Sequence, residues 1–348
     1  MQERITATLD RFRRLPKVEL HRHLEGSLRL NTMLDIARQH NIDLPEDVFG
    51  LSHLVQMQDD ETFSFRNFLA KFDTLRLFYR SPDVIDRITR EAVEDAAKDN
   101  VRYMELRFTP VALSRAERFP LDEVTDWVIA ASQAAAVEFD VVVRLIPSVN
   151  RHESPELAEQ VIWLAAERMD AGVVGIDLAG NEAEFPAEPF YGIFKEARQA
   201  GLHLSIHAGE WGPAENVREA IEQLGAERIA HGTRVLEDAS VTALARERFV
   251  PLEVCVTSNY QSGVVSELRA HPLPRMLEAG LNVTVNTDDP SISRITLSHE
   301  YHVVAGELGV PVDALCSCIL AAGEAAFLTG AERKDLLRSL KKEMPRPA

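Results

Sequence analysis

Cysteine is scarce: three residues in 348, Cys255, Cys316 and Cys318. A low, odd count excludes a disulfide framework and fits a reducing compartment, so the expected location is the cytoplasm. Cys316 and Cys318 fall in an apolar, helix-like run from Ala314 to Phe327, where two positions apart face different ways, and they read as buried structural thiols. The charged N-terminus, MQERITATLDRFRR, has no apolar segment of the kind a secretory signal carries. No apolar stretch reaches the roughly 20 residues of a membrane helix. Positive charge is also in short supply. Lys+Arg number 38 against 55 Asp+Glu, a formal net charge of −17, and such a surface repels phosphate backbones and anionic membranes. Arg11, Arg13 and Arg14 form the densest basic patch and read as a solvated face. No Pro/Gly/Ser tract, internal repeat or low-complexity block divides the chain. These absences leave a soluble globular protein with neither nucleic acid nor membrane as partner.

What is present is a recurrence. Short β-branched, apolar runs appear at Val18–His23, Val101–Phe108, Val141–Pro147, Val173–Ala179, Leu202–Ala208, Arg228–Gly232, Val250–Val256 and Leu281–Asp288. Helix-like segments such as Leu121–Phe139 and Pro155–Met169 lie between them. Eight strands alternating with helices predict an α/β fold, a (β/α)8 TIM barrel, in one domain over residues 1–348. An open dinucleotide-binding sheet would carry G-x-G-x-x-G after its first strand, and His21-Arg22-His23-Leu24-Glu25-Gly26 stands there instead. The stretch from Leu24 to Asn100 is far longer than one crossover helix requires. Its helix-like pieces, Asn31–His40, Ser64–Phe78 and Pro82–Ala97, predict a helical lid insertion over about residues 30–98.

Polar residues gather at the carboxyl ends of the strands, where barrel enzymes place their chemistry. His21 and His23 sit two apart on the first strand and point to one side. His207-Ala208-Gly209-Glu210 ends the fifth strand, His231-Gly232 the sixth and Asp288-Asp289-Pro290 the eighth. His21, His23, His207 and one carboxylate form an N3O set suited to Zn2+ or another divalent first-row ion, with a position left for water. A bound ion lowers the pKa of that water. The fourth strand, Gly175-Ile176-Asp177-Leu178-Ala179-Gly180, lacks the bridging Lys of a binuclear site, which favours one metal. Asp288 is the expected ligand, leaving Asp289 to substrate. Glu210 is placed to shuttle protons if burial raises its pKa, and His231 to orient or deprotonate the water. His203 reads as a core histidine. His152, His271 and His302 have no acidic or histidine company and read as structural or exposed.

Six stretches together resemble the adenosine deaminase family of metal-dependent amidohydrolase barrels: Lys17 to Ser27, Asp177 to Glu182, His207 to Glu210, His231-Gly232, Thr257-Ser258-Asn259 and Asn286 to Pro290. They occur in family order and span about residues 16–300. The resemblance implies one Zn2+ per chain on His21, His23, His207 and Asp288. It implies that Glu210 protonates ring nitrogen 1 of a purine nucleoside substrate while His231 and Asp288 position the attacking water. It also implies contacts from Asp289 to ring nitrogen 7 and from the Gly180 N–H to ring nitrogen 3. Phe65, Phe68 and Leu69 match apolar positions that cover the nucleoside in the adenosine branch. The implied reaction is hydrolysis of adenosine or 2′-deoxyadenosine to the inosine product and ammonia. The other zinc deaminase class carries H-x-E and P-C-x-x-C, and no C-x-x-C exists here.

Two positions depart from the pattern. Glu25 stands where adenosine deaminases usually carry the Asp that meets the ribose 5′-hydroxyl, and adenine deaminases often carry Glu. Asn181 stands where Asp is common. Glu25 keeps open an alternative substrate, adenine or a modified 6-aminopurine nucleoside such as aminodeoxyfutalosine. A non-catalytic nucleoside-binding barrel would not need the full ligand set that is present. A phosphotriester or amide hydrolase has fold analogy alone behind it.

Overall fold

The computed structural model describes residues 9–344, so the first eight residues of the N-terminal segment read above lie outside it. Eight parallel strands follow one another around a single sheet in sequence order. They are β1 (Lys17–His23), β2 (Val101–Phe108), β3 (Val142–Asn150), β4 (Gly175–Ala179), β5 (His203–Ala208), β6 (Arg228–His231), β7 (Pro251–Val254) and β8 (Asn282–Val285). Each matches a run expected from the sequence, with ends displaced by three residues or fewer.

β8 closes on β1 through one parallel bridge, Arg22 to Asp288. The His23 N–H donates to the Asp288 carbonyl and the Asp288 N–H to the His21 carbonyl, both at 2.9 Å. Side chains finish the seam: Asn286 Oδ1 accepts from the Leu20 N–H at 3.0 Å, and the Glu19 carboxylate accepts from the N–H and hydroxyl of Thr287. β8 thus ends earlier than the apolar pattern predicts: the Thr287 N–H meets the Glu19 carboxylate instead of a backbone carbonyl, and the Asn286 side chain takes up the Leu20 N–H.

The helix Leu121–Phe139 forms over the expected residues, whereas Pro155–Ala166 stops short of Met169 and tightens into a 3-10 turn, Met169–Ala171. Between β1 and β2 lie four helices, Leu30–His40, Val48–Val55, Phe65–Leu75 and Pro82–Lys98. The second was not legible in the sequence: Gly50 interrupts it, and Val48, Phe49 and Leu54 are exposed, so no clean apolar stripe marks it. Asp47 nevertheless caps it, accepting from the Gly50 N–H at 2.8 Å. The fourth buries Val84, Ile88 and Val93 against β2 and the Leu121–Phe139 helix, as a ring helix of the barrel does.

The barrel interior is charged beneath the strand ends. Arg107, Arg228, Glu105, Glu253 and Asp177 are fully buried there, where Val, Ile and Leu are usual. Arg228 donates to Glu105 and, at 2.6 Å, to Glu253; Arg107 donates to Glu253 and lies 3.2 Å from Asp177. Any one of these left alone would be an unpaired buried charge costing several kcal/mol, so the set holds only as a whole. Cys318 is buried, as expected, and so is Cys255, whereas Cys316, expected to be buried, is only partly so and packs at the edge of the core. No helix among the described residues is long and apolar enough to cross a membrane.

Candidate active site

His21, His23, His207 and Asp288 converge at the carboxyl end of the barrel, all buried, with one donor atom of each within 4.8 Å of the others. His21 Nε2 lies 3.3 Å from His23 Nε2 and 3.2 Å from Asp288 Oδ1, and His23 Nε2 lies 3.6 Å from the same oxygen. Tetrahedral ligands about 2.0–2.1 Å from one ion stand roughly 3.3 Å apart, so these spacings fit a shared ion. The far ring nitrogens carry the second test. His207 Nδ1 is 2.9 Å from Asp177 Oδ1, and His21 Nδ1 is 3.2 Å from Glu253 Oε2, the latter without good hydrogen-bond alignment. Carboxylates there favour the proton on Nδ1 and turn the Nε2 lone pairs inward, the arrangement that imidazole ligands of a metal need. Burial pushes His23 down to about 3 and lowers His207, so both are neutral ligands. Burial alone would raise Asp177, but His207 and Arg107 outweigh it and hold that carboxylate ionised.

The site is set by unusual backbone. His231 and Asp288 both adopt left-handed φ, +63° and +67°, which costs a non-glycine residue about 1–3 kcal/mol. This turns both side chains off the strand direction and into the cavity. Ser258 Oγ then donates to Asp288 Oδ2 at 2.6 Å, and Asn259 Nδ2 reaches His231 Nδ1 at 3.1 Å. His231 Nε2 lies 3.5 Å from Glu210 Oε2.

Glu210 sits in the turn after β5, and its placement has one cause. The Glu182 carboxylate accepts the backbone N–H groups of Gly209, Glu210, Trp211 and Gly212 at 2.7–3.0 Å, and Asn216 Nδ2 at 2.9 Å. Burial, then Asp288 and Glu182, raise Glu210 well above the usual carboxylate range. Burial, Asp288 and Glu25 do the same to Asp289, whose Oδ1 has no partner. Gly26 makes room for it, since a Cβ there would stand 1.8 Å from Asp289 Oδ1.

Above these groups opens a cavity of about 390 Å3, a size that takes a small organic ligand. Glu25, Phe65, Phe68, Leu69, Gly180, Glu210, His231 and Asp289 all line it. Glu25 Oε1 accepts from the Thr109 N–H at 2.5 Å, and its buried Oε2 has no partner. The residues singled out as ligand, proton carrier or substrate contact thus reach one space, except His21, which is fully buried and meets the other ligands beneath it.

Two histidines sit differently from expectation, and a third, His271, is structural as expected. His203 is no core residue: as the first residue of β5 it lies at the opposite end of the barrel, half-exposed, stacked on Phe327 and 2.9 Å from Glu227. His152 lines the cavity and has acidic company, Glu153 at 3.5 Å. His271 is buried and structural, with Asn259 as partner. The sequence alone assigns no role to the supporting carboxylates; Asp177 and Glu253 stand inside strands and Glu182 in the loop after β4, so none is marked as a partner of the site.

With this geometry in hand, the comparisons are decisive. The family model described as adenosine deaminase matches residues 16–343. This chain belongs to the adenosine deaminase family. It is 36% identical over 323 residues to an adenosine deaminase of Shigella flexneri serotype 5b, covering 92% of this chain and 96% of that one. Among solved structures of similar fold, the adenine deaminase of Arthrobacter aurescens superposes with a TM-score of 0.87 at 30% identity, covering 94% and 98% of the two chains. An amidohydrolase from Burkholderia ambifaria, solved with bound Zn, gives 0.88 at 26%, covering 96% and 92%. A deaminase of this family is a hydrolytic enzyme with a metal site, for which the buried His/Asp cluster is the candidate.

Proposed function

We propose that the chain is a zinc-dependent deaminase of adenosine and 2′-deoxyadenosine, releasing ammonia and the inosine product. The observation that carries this is the buried N3O cluster, three of whose members line the same cavity as Glu210 and Asp289. Zn2+ held by His21, His23, His207 and Asp288 supplies Lewis acidity that lowers the pKa of a water beside the ring. The chain's own residues do the rest. Glu210, kept protonated by burial, gives its proton to ring nitrogen 1 and makes carbon 6 electrophilic. Water adds to carbon 6 with His231 and Asp288 facing the attacking oxygen; the proton it loses passes to a facing carboxylate, the amino group takes up a proton, and ammonia leaves from the same carbon. Asp289, also protonated, donates to ring nitrogen 7, and the Gly180 N–H donates to nitrogen 3. Phe65, Phe68 and Leu69 cover the ring, as a lid helix would, and the free Glu25 Oε2 meets a sugar hydroxyl. The three unpaired thiols fit a reducing cytoplasm.

One observation favours a second reading, with adenine or a modified nucleoside as substrate. Glu25 carries one methylene more than Asp, and the similar Arthrobacter protein is an adenine deaminase. Ultraviolet absorbance on the zinc-loaded protein separates the two, with adenosine, 2′-deoxyadenosine, adenine and aminodeoxyfutalosine in parallel. Loss of the 6-aminopurine band with the two nucleosides is expected. Turnover of adenine or the modified nucleoside alone overturns the adenosine assignment and keeps the chemistry.

A further inference from the structure

Behind His231 runs a chain of buried hydrogen bonds whose donors can be followed one by one. It starts at a group with a fixed role: the backbone N–H of Leu273 donates to His271 Nδ1 at 3.1 Å. A backbone amide cannot accept, so His271 Nδ1 carries no proton. Burial pushes this imidazole down to about 3, so the ring is neutral and its one proton is on Nε2. That Nε2–H faces Asn259 Oδ1 at 3.3 Å, and the Thr233 hydroxyl donates to the same oxygen at 3.1 Å. Turning the carboxamide over would set its NH2 against an imidazole N–H, so its orientation is fixed. Asn259 Nδ2 therefore points at His231 Nδ1, 3.1 Å away. An amide NH2 only donates, which makes His231 Nδ1 the acceptor and leaves the proton of the neutral ring on Nε2. The side of the ring facing the cavity agrees: Nε2 looks at two carboxyl oxygens, Glu210 Oε2 at 3.5 Å and Asp288 Oδ2 at 4.0 Å.

We infer that Asn259, itself oriented by His271, locks His231 in the tautomer that presents an N–H to the substrate cavity, so that His231 donates a hydrogen bond there and does not take a proton from water. Asn259 and His271 are positioning residues; neither lines the cavity. Asn259 is rigid, at 0% exposure, with its own N–H bonded to the Cys255 carbonyl at 2.9 Å. Of the two roles that the sequence left open for His231, orienting or deprotonating the water, this leaves only the first. A fixed donor at that point stabilises negative charge as it develops on the attacking oxygen, and the acceptors left facing the same space are the carboxyls. The catalytic consequence rests on the deaminase reading. The tautomer does not, and it can be read without turnover.

The test is nitrogen-15 NMR of the histidine rings in the full-length, zinc-loaded protein at neutral pH, with His231 assigned by its loss in His231→Gln. A bare Nδ1 and a protonated Nε2 are expected; a protonated Nδ1 in the unaltered protein overturns the inference. Asn259→Asp replaces the donor with an acceptor, so Nδ1 must gain a proton, whether the ring stays neutral or becomes doubly protonated. A bare Nδ1 in that variant also overturns it. Asn259→Ala frees the ring, and kcat should fall on the order of a hundredfold while KM and zinc content stay within about threefold. Unchanged kcat removes Asn259 from the mechanism, and a matched rise in KM reduces it to a packing residue.

Discussion

The floor and the roof of the cavity are built by different physics. On the floor, most polar groups have a second one behind them. Asp177 backs His207, Glu253 lies against His21, Ser258 bonds Asp288, and Glu182 gathers four amides to place Glu210. These groups are buried and stand on strand ends or the turns just after them, so each is fixed by several bonds at once. The roof comes from the helix Phe65–Leu75, where Phe65 tilts against Trp211 at 5.6 Å and Phe68 and Leu69 add apolar contact. Its polar link to the barrel is an exposed pair, Arg66 and Glu184, 3.0 Å apart. On the proposed function, the chemistry falls to the over-determined part, and substrate choice and access to the helix above it.

Breaking the floor should therefore cost rate, and most of all at Glu210. Glu210→Gln keeps shape and removes the proton, so turnover should fall about 10^3-fold or more with metal content unchanged. Comparable activity in that variant, measured beside its zinc content, would take Glu210 out of the mechanism. The next effect lies one layer down. Asp177→Asn removes the carboxylate that sets the His207 tautomer and leaves Arg107 short of a partner. Metal affinity should drop about 10–100-fold, read by competition with a chelator. An unaltered affinity would mean that β4 contributes packing alone.

The same contrast explains what the sequence made legible. The eight strands could be read because parallel barrel strands are continuous β-branched runs, and the ligands because each stands at a strand's carboxyl end. His21 and His23 needed only a period of two. The backing carboxylates did not show themselves, since Asp177 and Glu253 sit inside apolar strands and look like isolated irregularities until the barrel closes and brings β4 to β5 and β7 to β1. The His231–Asn259 bond joins residues 28 apart on separate elements, and the left-handed φ of His231 has no sequence mark, since glycine follows it rather than replaces it. His203 was misplaced because strand parity gives a side but not a height along the barrel.

Changes to the roof should alter binding more than rate. Leu69→Ala deletes apolar contact over the cavity at a half-buried position, so folding should survive. Losing two to three buried CH2 groups at about 0.8 kcal/mol each corresponds to a rise in KM of roughly 15- to 60-fold, with kcat within threefold. An equal loss of kcat would move this helix from covering the substrate to positioning it.

The smallest expected effect is at the mouth, and it tests the comparison most sharply. Arg66 and Glu184 join the inserted helix to the loop after β4, and their side chains are 75% and 47% exposed. Pairs so exposed are screened by salt and held against side-chain entropy. Glu184 nevertheless stands two residues from Glu182, which anchors the Glu210 turn, so a rigid loop could in principle carry strain from roof to floor. If the two parts are mechanically separate, Arg66→Ala should change kcat/KM less than about fivefold, and 0.5 M salt should reproduce the change in the unaltered protein. A larger, salt-independent drop in kcat would show the mouth and the proton-carrying turn acting as one body, and would end the division between a fixed floor and a free roof.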